Sequence, residues 1–288
     1  MSLSQRPIHL TFLGCGHIGK ALLGALLPSI SNPDSPIKGV TVALKHQESQ
    51  TQLQSHFRNS LAHVNFVYQQ NTKAVRNADA ILFAFPPDQI HEVLGTPEIR
   101  EALQHKLVIS ILARTPHDEL KRVIQGNNNG PGDLRIARAM PTMGTEVHES
   151  ATLLADLGNP REIEAVELAA WIFNSVGKVY RISDDYFDAA TGMSAFSNAL
   201  ITVAIQAIAR KAVSEGIREE HAIAIASQCI RGMVELILSG ISPEELERSL
   251  SAPGSITGQA IEGLKESQME GILGSLLSGA VARARDYT

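Results

Sequence analysis

The chain has 288 residues, which is long for one compact core, so two domains are expected. It is 44% apolar and 19% charged, the composition of a soluble globular protein, and its net charge of -5 with no basic block gives no electrostatic basis for a nucleic-acid partner. Cys15 and Cys229 stand far apart without metal-ligand spacing, so no metal is expected and a reduced compartment fits. The opening "MSLSQRPIH" has no apolar signal core, and a cytoplasmic location is expected.

In chain order, "IHLTFLG" reads as a strand and "HIGKALLGALL" as a helix with apolar residues at helical spacing. Further β-like runs are "VTVAL" (40–44), "AILFAF" (80–85, stopped by Pro86 and Pro87), "KLVISIL" (106–112), "LRIARAM" (134–140), "ATLLAD" (151–156) and "GKVYRI" (177–182). Helical stretches such as "TPHDELKRVIQ" (115–125) and "PREIEAVELAAWIFNSV" (160–176) lie between them, and "GNNNGPG" (126–132) reads as a surface loop. Strands alternating with helices imply an α/β domain with a mostly parallel sheet covered on both faces. After Ile182 the pattern changes, and "SDD" (183–185) reads as a boundary and helix cap. Helices are predicted over 186–214, 219–239, 243–250 and 255–286. The expected organisation is a Rossmann-like dinucleotide-binding domain, 1–182, followed by an all-helical dimerisation and substrate domain, 183–288.

From Ala189 to Ala209 no residue is charged, which is long enough to cross a bilayer. Ser194, Ser197, Asn198, Thr202 and Gln206 dilute the stretch, and no aromatic belt frames it. A helix apolar on nearly all sides needs covering on nearly all sides. A second copy of the chain is therefore expected, and a membrane is not.

Gly14, Gly16 and Gly19 fall in the order G-x-G-x-x-G, after a strand and at the start of a helix. That context makes the motif a dinucleotide site: one glycine for the turn, one for the approach of a pyrophosphate, one for helix–strand packing. Cys15 reads as an inert loop residue. After the second strand an NAD site carries an acid for the ribose 2'-hydroxyl, whereas here Lys45 and His46 stand at the tip and no acid appears before Glu48. The cations suit the 2'-phosphate of NADP. No Ser-His-Asp arrangement is legible. His9, His63 and His105 read as surface or strand-edge residues, Trp171 as core, and Asp184 with Asp185 as helix caps rather than paired catalytic carboxylates.

Several motifs in order resemble the pyrroline-5-carboxylate reductases. "ADAILFAFPP" is similar to the family strand ending Ala-Val-Lys-Pro, "VISILA" to Ile-Ser-Ile-Ala-Ala-Gly, and "RAMP" to Arg-Val-Met-Pro. "VGKVYRISDDYFDAATGMS" is similar to Val-Gly-Lys and Asp-Ala-Val-Thr-Ala-Leu-Ser, and "APGSITGQAIEGL" to Ser-Pro-Gly-Gly-Thr-Thr-Ile-Ala-Gly-Leu. The resemblance implies hydride transfer from NADPH to the C=N carbon of a cyclic imine, in a homodimer or higher homo-oligomer with interlocked helical domains. It places Gly14, Cys15, Gly16, His17, Ile18, Gly19, Lys45, His46, Ala84 and Pro86 at the cofactor. It places Ser194, Ser255 and Ile256 at the substrate, with backbone N–H groups of the last two near its carboxylate, and Thr257 at the imine nitrogen.

The chain departs from the family at Pro86 (lysine), Arg114 (glycine), Thr142-Met143-Gly144 (Asn-Thr-Pro), Phe196 (glycine) and Ala252 (serine). These departures favour a substituted pyrroline as substrate, and keep open a non-catalytic nucleotide-binding or assembly subunit. Imine reduction needs orientation and one proton rather than a strong acid, so the lack of an obvious His or Lys acid fits it better than ketone reduction.

Overall fold

The computed structural model describes residues 7–126 and 134–286. The loop expected at 126–132 falls, beyond Gly126, outside the described residues. The elements run β1 (Ile8–Leu13), α1 (His17–Ile30), β2 (Ile37–Leu44), α2 (Gln47–His56), β3 (Val64–Tyr68), α3 (Asn71–Arg76), β4 (Ala80–Phe83), α4 (Ile90–Leu94), α5 (Pro97–Leu103), β5 (Leu107–Ser110), α6 (His117–Gln125) and β6 (Arg135–Met140). They continue with β7 (Ser150–Asp156), α7 (Ile163–Asn174), β8 (Gly177–Ser183), α8 (Asp184–Ser214), α9 (Glu219–Leu238), α10 (Pro243–Leu250), α11 (Ile256–Glu266) and α12 (Met269–Arg285).

The strands form one sheet in the order β3-β2-β1-β4-β5-β6-β7-β8. All pairings are parallel except β6 with β7. The parallel strands are buried on both faces, which is why they read as continuous apolar runs rather than alternating ones. On one face Leu22, Leu23, Leu26 and Ile30 of α1 pack with Leu168, Ile172 and Phe173 of α7 against Leu10, Phe12 and Leu82. On the other, Val75, Ile99, Leu103 and Leu120 cover Ile81, Phe83 and Val108. The order reverses between β1 and β4, the switch point at which α/β sheets bind ligands.

Two expectations are corrected. The strand Val64–Tyr68 is present although its pattern does not single it out: it is the edge strand, and Val64 and Phe66 are buried while Asn65 is exposed. The last predicted helix is two, broken at Ser267 and Gln268, where Gln268 takes a left-handed conformation with φ 53°. By its internal contacts the chain forms two compact units, 1–191 and Gly192–Arg283, with Ala284 to Asp286 belonging to the first.

Arg138 ties the start of α8 to the sheet. This β6 side chain is 3% exposed; its Nη2 lies 2.9 Å from Asp188 Oδ1 and its Nη1 3.5 Å from Asp184 Oδ1. Its guanidinium carbon stands 4.3 Å from the centre of the Phe187 ring, which is fully buried with Leu153 and Ala155. Asp184 and Asp188 are four residues apart on one face of α8, so one cation holds the first turn of that helix to the sheet. Asp184, expected as a cap, serves here as an ion-pair partner.

The second unit, Gly192–Arg283, is helical. Within it α8 and α12 approach closely, since a Cβ at Gly192 would lie 2.7 Å from the Val281 Cα. Ser242 and Glu245 form a reciprocal capping box at the start of α10. The apolar stretches of α8 and α9 have mean hydropathies of 1.4 and 1.3, and only 11% of each is buried within the chain. Met193, Val203, Ile208, Ile225, Val234 and Leu238 are among the side chains left exposed.

Arg138→Leu leaves two carboxylates without their cation and is expected to lower unfolding free energy by about 3 kcal/mol. A fall in the denaturant midpoint checks this, and an unchanged midpoint would show that the clamp contributes nothing.

Candidate active site

At the carboxyl ends of β1, β2 and β4 lies a cavity of about 480 Å³. The chain enters it through backbone bonds that knit the three strands: Gly14 N–H donates to Ala43 O (2.9 Å) and Ala84 N–H to Leu13 O (2.9 Å). Gly14 has φ 78°, and a Cβ there would sit 2.8 Å from the Ala84 carbonyl oxygen and 2.9 Å from the Phe85 Cα, so only glycine fits. Gly16 is different. A Cβ on it would meet nothing within 4 Å, so the protein itself does not demand glycine at that point, and the space is open to a ligand. Gly19 is buried, and a Cβ on it would lie 3.3 Å from the Ala84 Cβ, so α1 closes tightly onto the end of β4.

Of the residues expected at a cofactor, Gly14, Cys15, Gly16, Lys45, His46, Ala84 and Pro86 line this cavity. His17, Ile18 and Gly19 form the first turn of α1 just beyond it; Ile18 packs on the core and His17 Nε2 lies 3.0 Å from Glu146 Oε1. The first turn of α1 itself holds no acid and Gly16 caps it without a side-chain bond, so no residue of the helix covers its N-terminal backbone N–H groups. A glycine turn with free space above it, a bare helix N-terminus and a lysine at the rim fit a dinucleotide with its pyrophosphate at Gly16.

Burial pushes the Cys15 thiol up to about 12, outweighing the opposing effect of Lys20. It is a packed, protonated side chain, as its loop position implied.

Sequence reasoning missed Ser49, Gln69, Asn71, Gln89 and Glu92, which also line the cavity. Glu92 is the consequential one: both of its oxygens reach Lys45 Nζ, at 2.8 and 3.0 Å. The available signal was the strand order 2-1-4, which brings the segment after β4 close to the end of β2.

In the helical unit the expected substrate residues Ser255, Ile256 and Thr257 lie together at the start of α11. Ser255 is the N-cap, its Oγ accepting from Gly258 N–H (2.9 Å). The Ser255 N–H, expected near a carboxylate, already donates to Ala252 O (3.0 Å), because the Pro253-Gly254 turn folds back on itself. The anion donors that helical geometry leaves are those of Ile256 and Thr257. Ile256 is 89% exposed. The Thr257 hydroxyl donates to Leu250 O at 2.8 Å, so its proton is occupied, and the Ser255 Oγ lies 3.3 Å from its oxygen. Ser194 lies half-buried on α8, apart in sequence from this cluster.

Two family models match separate parts of the chain: "NADP oxidoreductase coenzyme F420-dependent" over 9–114, and "Pyrroline-5-carboxylate reductase dimerisation" over 184–287. The pyrroline-5-carboxylate reductase ucsG of Acremonium sp is 26% identical, over 96% of this chain and 92% of that protein. The pyrroline-5-carboxylate reductase of Methanosarcina acetivorans is 29% identical, over 96% and 94%. Over nearly its whole length the chain is thus similar to pyrroline-5-carboxylate reductases, at a divergent level of identity. The same fold is seen in the crystal structure of Plasmodium falciparum pyrroline carboxylate reductase with NADP bound, with a TM-score of 0.78 at 22% identity, covering 97% of this chain and 98% of that one.

One departure from the family motifs has a clear structural setting. Arg114, where the family motif has glycine, keeps the left-handed conformation that glycine favours (φ 54°) and donates through Nη1 to the Asp286 carbonyl (3.2 Å).

Gly14→Ala and Gly16→Val are expected to separate. The first, strained and crowded, lowers the melting temperature; the second leaves it unchanged and abolishes nucleotide binding in a fluorescence titration. Normal nucleotide affinity in Gly16→Val would show that the cavity is not the pyrophosphate site. With its thiol near 12, Cys15 is also expected to resist iodoacetamide at pH 8 in the folded protein and to react once unfolded, which mass spectrometry of the labelled peptides reads directly.

Proposed function

We propose that this protein reduces the C=N bond of a carboxylated cyclic imine with NADPH, the substrate being pyrroline-5-carboxylate or a substituted analogue and the product proline or a proline-like amino acid. The observation that carries the reading is the start of α11, where a hydroxyl with its proton already engaged stands one residue after an N-terminal backbone donor.

The chemistry follows from those groups. A cyclic imine carboxylate presents an anion and, once protonated, an N–H beside it. The backbone N–H groups of Ile256 and Thr257 suit the carboxylate. Thr257 Oγ1, donating to Leu250 O, accepts from the iminium N–H and so holds the ring in one orientation and keeps the proton on nitrogen. NADPH, when bound, supplies the hydride. Hydride addition to carbon gives the amine, and the nitrogen keeps its proton; no further side-chain acid is required. At the other end, Lys45 and His46 are assigned to the 2'-phosphate, and the α1 N-terminus to the pyrophosphate. Phe196, half-buried on α8 where the family motif has glycine, adds bulk that favours an altered ring over the unsubstituted one.

The assembly follows from the same family. The dimerisation match supports homo-oligomerisation, and the exposed apolar faces of α8 and α9 are the surface a second copy would cover. Both cysteines are unpaired, in keeping with a cytoplasmic enzyme.

NADPH oxidation with a panel of carboxylated cyclic imines tests the assignment. Slow turnover of pyrroline-5-carboxylate and faster turnover of a substituted ring are expected. Thr257→Ala should lower kcat about ten- to a hundred-fold, the effect of one hydrogen bond to a charged group, with NADPH affinity unchanged and Thr257→Ser largely restoring the rate. NADPH binding without turnover of any imine would instead establish the non-catalytic subunit. Light scattering at low concentration should give a dimer or a multiple of it, and a soluble, folded monomer would contradict the assembly.

A further inference from the structure

Dinucleotide-binding folds read the adenosine ribose at the end of the second strand, with an acid for a 2'-hydroxyl and a cation for a 2'-phosphate. Here β2 ends at Leu44, and the residues that follow, Lys45 and His46, include no acid. The fold supplies one from elsewhere. Because β1 lies between β2 and β4, the segment after β4 turns toward the end of β2, and α4 presents Glu92 to the same cavity. Its two oxygens stand 2.8 and 3.0 Å from Lys45 Nζ.

We infer that Glu92 is a cofactor-selectivity residue, which competes with a 2'-phosphate for Lys45 and accepts a ribose 2'-hydroxyl, so that the cavity takes NADH as well as NADPH. The inference rests on the reading of this cavity as a dinucleotide site, and goes beyond it by naming a residue that opposes the NADPH preference.

Two physical points support it. The Lys45 and Glu92 side chains are 50% and 57% exposed, so water competes for both and the pair is weak enough to open to a ligand. A phosphate arriving at Lys45 also meets a carboxylate of its own sign within reach of the same ammonium, whereas a hydroxyl arriving there finds an acceptor. Lys45 alone would make the site selective for NADPH; Lys45 held by Glu92 makes it permissive. His46, Ser49 and Asn71, which line the same cavity, add no negative charge.

The test is direct titration of the full-length protein with NADPH and with NADH, followed by nicotinamide fluorescence and without any imine. Glu92→Gln is expected to tighten NADPH about two- to five-fold and to weaken NADH by a similar factor, the scale of one exposed charge pair. Lys45→Met should weaken NADPH, and in that background Glu92→Gln should no longer tighten it. If the unaltered protein binds NADPH but Glu92→Gln changes neither affinity, or moves both the same way, the role given to Glu92 is wrong and the dinucleotide site stands. If the unaltered protein binds neither nucleotide, the dinucleotide reading fails and this inference with it.

Discussion

A Cβ at position 14 would sit 2.8 Å from the Ala84 carbonyl oxygen, and no side chain fits that gap. The turn after β1 can therefore lie against the end of β4 only as glycine, and the rest of the first unit's functional surface follows from that contact. It draws α1 in until Gly19 meets Ala84, and it leaves Gly16 facing open space. It also sets the cavity at the point where the sheet order reverses, with β2 on one side and β4 on the other. The close approach and the open space are two sides of one arrangement: the protein's own packing accounts for two of the three glycines and leaves the middle one for a ligand.

A second constraint governs where the sheet ends and the helices begin. Arg138 is buried on β6 and carries its charge into the first turn of α8 through Asp184, Asp188 and the face of Phe187. An unpaired guanidinium at 3% exposure would be strongly destabilising, so the two carboxylates are required by the cation and the cation by them. The start of the long helix is thus set by the α/β unit. Its later turns, apolar and largely exposed within one chain, lie inside residues 184–287, the span of the dimerisation match.

What the sequence made legible was whatever chemistry is local. The β1–α1 motif reads at once because its glycine spacing carries the geometry, and the start of α11 reads because Pro253-Gly254-Ser255 is a turn followed by an N-cap. Local pattern fails where the deciding contact is distant. Val64–Tyr68 pairs only with β2, and its polar Asn65 breaks the apolar run. The break at Gln268 has no glycine or proline to announce it. Glu92 is 47 residues from Lys45, and Arg138 is 50 from Asp188, so neither pairing can be seen until the strand order is known. Ser255 is the instructive case: its place at the substrate end was legible, but the engagement of its N–H by Ala252 depends on the turn's conformation, and this moves the anion donors one residue along to Ile256 and Thr257.

In the proposed reaction a bound nicotinamide delivers hydride directly to the imine carbon. The most direct measurement uses NADPH deuterated at both C4 positions, with pyrroline-5-carboxylate or a better-turned-over analogue, and locates the label in the product by NMR. One deuterium on the former C=N carbon, and none elsewhere, is the predicted result. A product whose hydrogen at that carbon comes from solvent would contradict it.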